Sequence, residues 1–174
     1  LILLDRTLSE LNRIDLTDFD VFQQTAIGLS RDNNLWFYDN NTATLKKVSQ
    51  QGELLQESPD LTLMTNAPLN PSFLLEQQGR VYLHNPEVGI MIFDLFGGYI
   101  KTIKLPEIEA FQLYEQQLFY LQDEQLYSFD LRLLSKHKIE LPIATKGLKH
   151  FGIAQNRLFL GFSDKIWVYQ IQEN

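Results

Sequence analysis

Three side chains in this sequence could combine into a metal site or an acid–base pair, namely His84, Glu87 and His150. Imidazole and carboxylate groups bind zinc and transfer protons near neutral pH. Their spacing matches no established ligand motif, however, and the neighbouring proline and glycine favour an ordinary turn around His84 and Glu87. With only three histidines in the chain, we predict neither a bound metal nor another cofactor.

The acidic and amide side chains between the apolar segments could bind calcium, which prefers carboxylate and carbonyl oxygens. No segment has the dense alternation of acids that a calcium loop needs. Hairpin turns account for these residues instead, because Asp and Asn accept hydrogen bonds from nearby backbone amides. The repeated residues Asp5, Asp94 and Asp130 are therefore predicted to close turns.

Composition excludes several classes of chemistry. The chain has no cysteine, which removes disulfides, thiolate metal sites and Cys nucleophiles. No serine lies in a nucleophile elbow, and no phosphate-binding or dinucleotide motif is present. The net charge of -7 opposes the phosphate backbone, so we predict no nucleic-acid partner. The apolar runs are far too short for a membrane helix, and we predict no transmembrane segment.

The positions of all these residues follow from a repeat of about forty residues, the length of one propeller blade. Its signature is an apolar residue followed by a polar one, at Leu4-Asp5, Val48-Ser49, Phe93-Asp94, Phe129-Asp130 and Tyr169-Gln170. An apolar pair follows ten and twelve residues after the aromatic, as with Ile103 and Leu105. The first copy places Ile14 and Leu16 in the same way.

Each repeat has the pattern of four short antiparallel strands. The first strand carries one apolar anchor, which is Ile27, Phe73, Phe111 or Phe151. A polar hairpin turn leads to a second, continuously apolar strand, which is typical of a strand buried on both faces. Gly97-Gly98 is expected to supply positive backbone angles in one of the last hairpins. No sustained helical period occurs, so the chain is predicted to be all-β.

An Asp at the end of the third strand, followed by a strand like Tyr99–Ile103, resembles the β-propeller repeats of the NHL and YVTN kind. The forty-residue period and the four-strand pattern predict a β-propeller of four-stranded antiparallel blades, with five blades favoured over six. The blade segments are 1–24, 25–60, 71–106, 110–146 and 148–174, within a single domain. Alternatives are a β-sandwich and an open solenoid of hairpins.

The first and last blades are incomplete in this reading. We expect the N-terminal part of the first blade to be missing. Upstream residues would then supply its two inner strands and the outer strand of the last blade. A start within a blade and the absence of cysteine are both compatible with an exported bacterial protein, periplasmic or extracellular, with an export signal upstream; the alternative is a soluble protein without such a signal.

In proteins of this shape ligands usually bind at the face formed by the loops between strands two and three and between blades. Those loops carry the candidate binding residues Asp39, His84, Glu87, Asp123 and His150. The absence of a catalytic constellation favours a non-catalytic scaffold or interaction module with a protein or peptide partner. Alternatives are a sugar-binding domain or hydrolase-like enzyme at the mouth of the central channel, and a purely structural domain. The sequence indicates neither the ligand nor the oligomeric state.

Overall fold

The computed structural model describes residues 2–15, 17, 26–65, 69–105, 107–108 and 110–171. Leu16 of the predicted apolar pair lies outside these residues. The chain divides into two compact units, Leu1–Pro106 and Glu107–Asn174. Apart from short 3₁₀ turns such as Leu61–Met64, the regular structure of the described residues is antiparallel β-sheet. None of the helices among these residues has the length and apolar character that crossing a membrane requires.

The first unit contains three antiparallel sheets whose neighbouring strands follow one another in the sequence. A two-stranded sheet is formed by β1 (Ile2–Leu4) and β2 (Glu10–Arg13). A four-stranded sheet follows, with β3 (Ile27–Leu29), β4 (Leu35–Asp39), β5 (Thr44–Val48) and β6 (Leu54–Glu57). The third contains β7 (Phe73–Gln77), β8 (Arg80–Asn85), β9 (Gly89–Phe93) and β10 (Tyr99–Ile103).

The second unit contains two sheets with the same meander topology. One has four strands, which are β11 (Ala110–Tyr114), β12 (Gln117–Gln122), β13 (Gln125–Asp130) and β14 (Ser135–Lys138). The other has three, which are β15 (His150–Ala154), β16 (Arg157–Gly161) and β17 (Ile166–Gln170). Across the described parts of both units, five sheets therefore correspond to the five predicted blades.

The second strands of the first unit lie at the centre of its core, as their apolar runs predicted, whereas the second strands of the second unit are only partly buried. Every residue of β4 is buried, and Trp36 and Phe93 of the first unit are inaccessible to solvent. The indole nitrogen of Trp36 donates to Glu76 Oε2 at 2.7 Å, and Glu76 Oε1 accepts the amide of Arg31 at 3.0 Å. Glu76 therefore joins two successive sheets by satisfying the one polar atom of a buried aromatic side chain.

The predicted aspartate turns are confirmed. Oδ1 of Asp94 accepts the backbone amides of Phe96 and Gly98, each at 2.8 Å, and Asp5 and Asp130 make equivalent bonds. The expectation of two positive backbone angles at Gly97-Gly98 was wrong for the second glycine, since only Gly97 has one, with a φ of 83°. Gly98 is required for space, because a Cβ there would lie 2.6 Å from Asp94 Oδ2.

Candidate functional site

Asp39, at the end of β4, is a buried carboxylate with a full set of partners. Its Oδ1 accepts the amide of Asn41 at 2.8 Å, and its Oδ2 accepts the hydroxyl of Thr42 at 2.8 Å and the ammonium of Lys46 at 2.6 Å. Burial alone would raise the pKa of Asp39, but the bonds from Lys46 and Thr42 outweigh burial and lower it. The carboxylate fixes the turn between β4 and β5.

His84 is buried in β8, only 4% exposed, with Nδ1 2.8 Å from the hydroxyl of Ser72. Burial lowers the pKa of His84 to about 4. The imidazole is therefore neutral at pH 7 and is a weaker base than an exposed histidine. Sequence reasoning missed this Ser72–His84 contact. Phe73 pairs with His84 in the sheet, which places the preceding residue, Ser72, close to the His84 side chain.

Glu87 lies in the turn between β8 and β9, where its side chain is exposed. Its backbone amide donates to Oδ1 of the buried Asn85 at 3.0 Å, so Asn85 organises this turn as Asp39 organises the previous one. Within the described ranges, no group of three or more His, Asp or Glu side chains has the arrangement of a metal site. Of the predicted residues in the first unit, only Glu87 presents its side chain to solvent.

In the second unit, the exposed residue Asp123 begins the tight turn between β12 and β13. Asp123 and Glu124 have positive φ angles of 50° and 57°. Oε1 of Glu124 accepts the amide of Gly147 at 3.0 Å, which joins this turn to the connection between β14 and β15. His150, the first residue of β15, is exposed. The predicted loop positions of this unit are thus on the surface.

A groove of about 370 Å³ lies beside these loops in the second unit. The residues that line it include two aromatic residues, two lysines and one aspartate, which are Phe162, Trp167, Lys146, Lys165 and Asp164. The Lys165 Nζ lies 5.7 Å from the centroid of the Phe162 ring. Sequence reasoning did not single out the two lysines or Trp167. The available signal was the position of Trp167 near the start of β17, next to the loop that precedes this strand.

The outermost strand of the last sheet exposes three successive apolar side chains. Ile166 is 70% exposed, Trp167 44% and Val168 51%. The corresponding third strand of an earlier sheet, Gly89–Phe93, is entirely buried and lies between two neighbouring strands. In the sheet β15-β16-β17 the third strand is itself the edge.

Comparison with known proteins identifies the fold. No protein-family model matches the chain, and no curated protein matches it. Among solved structures, virginiamycin B lyase from Staphylococcus aureus is 14% identical with a TM-score of 0.60, over 82% of this chain and 50% of that chain. PorZ of Porphyromonas gingivalis is 18% identical with a TM-score of 0.64, over 83% of this chain and 20% of that chain.

The extracellular domain of the putative hybrid two-component system BT4673 from B. thetaiotaomicron is 13% identical with a TM-score of 0.56, over 85% of this chain and 20% of that chain. The chain thus spans half or less of the length of these three structures. All are β-propeller-like proteins, which agrees with the sheet pattern and confirms the predicted fold class. At such low identity the likeness shows the fold alone, and the chain is an all-β protein of the β-propeller class.

Proposed function

We propose that this chain is a non-catalytic interaction module that binds a protein or peptide partner. The observation that carries the proposal is the exposure of Ile166, Trp167 and Val168 on one outer strand. Successive exposed apolar residues of this size are unusual on a surface that has no partner, because each leaves apolar area in contact with water. A propeller supports such a role, because its rigid sheets hold strands and loops in fixed positions for recognition.

The aromatic groove next to this strand supports the same proposal. Exposed Trp side chains contribute strongly to protein interfaces, since a large rigid ring becomes buried with little loss of conformational entropy. Trp167 lies both in β17 and in the groove with Lys146 and Lys165. The exposed residues Asp123 and His150 of the second unit are proposed as polar contacts of this site, and Glu87 stays a separate candidate for binding in the first unit. Asp39 and His84 would act through the turns and strands that they hold.

Site-specific crosslinking tests the proposal. A photoreactive phenylalanine derivative is placed at Val168 in cells that express the protein, and at Leu63 in a matched control. Leu63 is 78% exposed and lies in the 3₁₀ turn of the first unit. We expect a defined crosslinked partner from position 168 and none from position 63. Equal crosslinking from both positions, or none from position 168, would contradict the proposal.

We also propose that the module works outside the cytoplasm, in the periplasm or at the cell surface of a bacterium. The absence of cysteine is compatible with an oxidising compartment. Two proteins of similar fold are described as a bacterial surface component of a secretion system and as an extracellular domain. Fractionation of cells that express the full gene, followed by immunodetection, tests this location. Recovery in the cytoplasmic fraction would contradict it.

A further inference from the structure

We propose that the hairpin of β13 and β14 in the second unit binds the surface of an anionic lipid bilayer. In this proposal two leucines of its turn, residues 131–134, insert among the lipid headgroups, and flanking cations contact anionic headgroups. This is a second interaction surface, and it does not rest on the function proposed above. Three observations support it, which are the exposure of the two leucines, the backbone conformation of one of them and the local charge.

The first observation is the exposure of Leu133 and Leu134 at the tip of the hairpin. Leu133 is 67% exposed and Leu134 58%. The turn connects two strands of a complete four-stranded sheet, so its exposure does not depend on a strand outside the described residues. Adjacent large apolar side chains on a turn are typical of surfaces that bind a partner or enter the headgroup region of a membrane.

The second observation is the backbone conformation of Leu134, whose φ is 55°. This left-handed region favours glycine, because a Cβ costs free energy there. Gly52 and Gly97 have positive φ angles, each 83°, in the corresponding turns of two sheets of the first unit. Leucine at this position lowers stability through both its backbone and its exposure. Such a residue indicates a function other than folding.

Asp130 fixes the conformation of the turn. Its Oδ1 accepts the amides of Leu133 at 2.7 Å and Arg132 at 2.8 Å, and its backbone carbonyl accepts the amide of Leu134 at 2.9 Å. The bonds from Leu133 and Arg132 hold the pKa of the carboxyl below its ordinary value. The turn is therefore preorganised, and inserting the two leucines costs little conformational entropy.

The third observation is the positive charge around the turn. Residues 130–138 contain three cations, Arg132, Lys136 and Lys138, and one acid, Asp130, in a chain whose net charge is -7. All three cations are exposed, and within the described parts of the chain none of them forms an ion pair. An anionic surface complements this arrangement, and each cation beside it should strengthen binding about fivefold.

The two lysines lie on one face of β14. Lys136 and Lys138 are alternate residues of this strand, so their side chains share a face. The Lys136 ammonium lies 3.9 Å from the centroid of the Tyr127 ring and donates to Oε1 of Gln122 at 3.3 Å. Neither contact neutralises the ammonium, because the ring and the amide have no net charge. Both lysines therefore keep a full positive charge for an anionic headgroup.

The neighbouring turns leave the surface positive. The turn between β11 and β12 contains one exposed acid, Glu115. The hydroxyl of Tyr114, beside this acid, donates to Oδ1 of Asn156 at 2.5 Å, which brings the turn between β15 and β16 close by. Arg157 follows that turn and is exposed. These turns add one acid and one cation, so the excess of cations is unchanged.

Charge distinguishes this hairpin from two others that also expose an apolar side chain. Leu8 is 76% exposed and Phe96 73% in the corresponding turns of two sheets of the first unit. Residues 5–13 contain two acids and two cations, and residues 94–101 contain one of each, so neither segment has a net charge. Stable attachment to a membrane surface takes two signals, such as an apolar group and a basic patch. The hairpin of β13 and β14 combines them.

Cosedimentation with vesicles tests the inference. Vesicles of phosphatidylglycerol and phosphatidylcholine in equal amounts present an anionic surface, and vesicles of phosphatidylcholine alone are the control. We expect the protein to bind the anionic vesicles at least about tenfold more tightly than the neutral ones. Added salt should reduce this difference, since it screens the attraction. Equal binding to both kinds of vesicle would overturn the inference.

Substitutions separate insertion of the leucines from simple attraction. Leu133→Ser combined with Leu134→Gly should weaken binding to anionic vesicles at least about tenfold. The midpoint of urea unfolding should stay unchanged or rise, because glycine suits the left-handed position. A lower midpoint would show that the leucines support the fold, and unchanged vesicle binding would show that they do not insert. Either result would contradict the proposal.

A change of charge tests the basic patch. Lys138→Glu should weaken binding to the anionic vesicles at least about tenfold, because it replaces an attractive charge with a repulsive one. Lys104→Glu is the control, since Lys104 is an exposed lysine of the first unit and its substitution changes the net charge equally. Equal losses in the two variants would show that net charge alone governs binding, and the assignment to this hairpin would fail.

Fluorescence shows whether the turn enters the bilayer. Because the chain has no cysteine, Leu133→Cys provides a single site for a polarity-sensitive dye. Leu63→Cys, at a position 78% exposed in the first unit, is the matched control. On anionic vesicles the dye at position 133 should shift its emission to shorter wavelength, whereas the dye at position 63 should not. Vesicle binding without this shift would exclude insertion, and the same shift with soluble polyglutamate would assign the surface to an acidic polypeptide instead.

Discussion

The side-chain amide of Gln112 pairs with both backbone groups of Ile153. Its Nε2 donates to the Ile153 carbonyl at 2.7 Å, and its Oε1 accepts the Ile153 amide at 2.8 Å. Gln112 lies in β11 and Ile153 in β15, the first strands of the two sheets of the second unit. One side chain thus forms the pair of bonds that a neighbouring strand would otherwise make, and it links the inner strands of two successive sheets.

We expect Gln112→Leu to destabilise the second unit by about 1–3 kcal/mol, because the substitution leaves two backbone groups of Ile153 without these partners. The effect should be visible as a lower midpoint of urea unfolding. Gln116→Leu is the control, since Gln116 is exposed in the turn between β11 and β12, and its effect should stay within about 0.5 kcal/mol. Equal losses in the two variants would contradict the role assigned to the Gln112 amide.

Gly28 and Gly152 each follow the apolar anchor of a first strand, and the two positions give opposite predictions. Gly28→Ala should cost about 1–3 kcal/mol, because the new methyl group would overlap the backbone of Leu74 and force β3 and β7 apart. The new methyl group of Gly152→Ala would meet no atom of the described residues within 4 Å, so this substitution should be neutral, or should stabilise by about 0.5 kcal/mol through a less flexible unfolded chain. Urea unfolding of both variants at one pH checks the pair. If Gly152→Ala lowers the free energy of unfolding as much as Gly28→Ala does, the sheet face that carries Gly152 is covered.

The fold was predictable because it depends on local patterns. The alternation along each strand, the apolar anchors such as Ile27 and Phe151, and the aspartate turns are all visible within one repeat. Contacts between repeats were not predictable in this way. Gln112 and Ile153 are far apart in the sequence, and their pairing depends on how two sheets pack.

The site was predicted less well than the fold for the same reason. His84 is adjacent to polar turn residues and therefore has the sequence context of a loop residue, but it lies in β8 opposite Phe73, within the sheet. Lys165 and Trp167 were not singled out because nothing in their local sequence shows that β17 is the edge strand of its sheet among the described residues. Exposure of an apolar strand is a property of the sheet edge, which composition and periodicity do not report.

Burial of His84 predicts a pH-dependent stability. The pKa of His84 is lowered to about 4 from its ordinary value of 6.5. Between these values the unfolded chain binds a proton that the folded protein does not, so the free energy of unfolding should fall as the pH falls, by about 3 kcal/mol in total. Urea unfolding across this range measures the slope.

The contribution of His84 to that slope is isolated by substitution. His84→Gln should remove it, since glutamine can keep a hydrogen bond to Ser72 but does not titrate. His150→Gln is the matched control, since it removes a histidine at an exposed position. A wild-type slope in His84→Gln would show that other groups cause the pH dependence.

Unlike His84, the buried pair of Asp39 and Lys46 should make a contribution to stability that does not change with pH near neutrality. The pKa of Asp39 is lowered and that of Lys46 is raised, and for each group burial opposes the shift while the hydrogen bond between the two outweighs it. A lowered carboxyl pKa gives stability that is lost only as the pH falls below the ordinary value of 3.8. A raised ammonium pKa gives stability that is lost only as the pH rises above 10.5. The contribution of the pair should therefore be constant between these limits.

Asp39→Asn should lower the free energy of unfolding at pH 7 by about 2–4 kcal/mol, because it leaves the ammonium of Lys46, whose side chain is only 12% exposed, without its closest carboxylate. Asp39→Asn with Lys46→Met should recover part of the loss, since the double variant has no uncompensated charge. Urea unfolding of the two single variants and the double variant at pH 7 completes the cycle. Additive losses would show that Asp39 stabilises the turn through Asn41 and Thr42 alone, with no contribution from its charge.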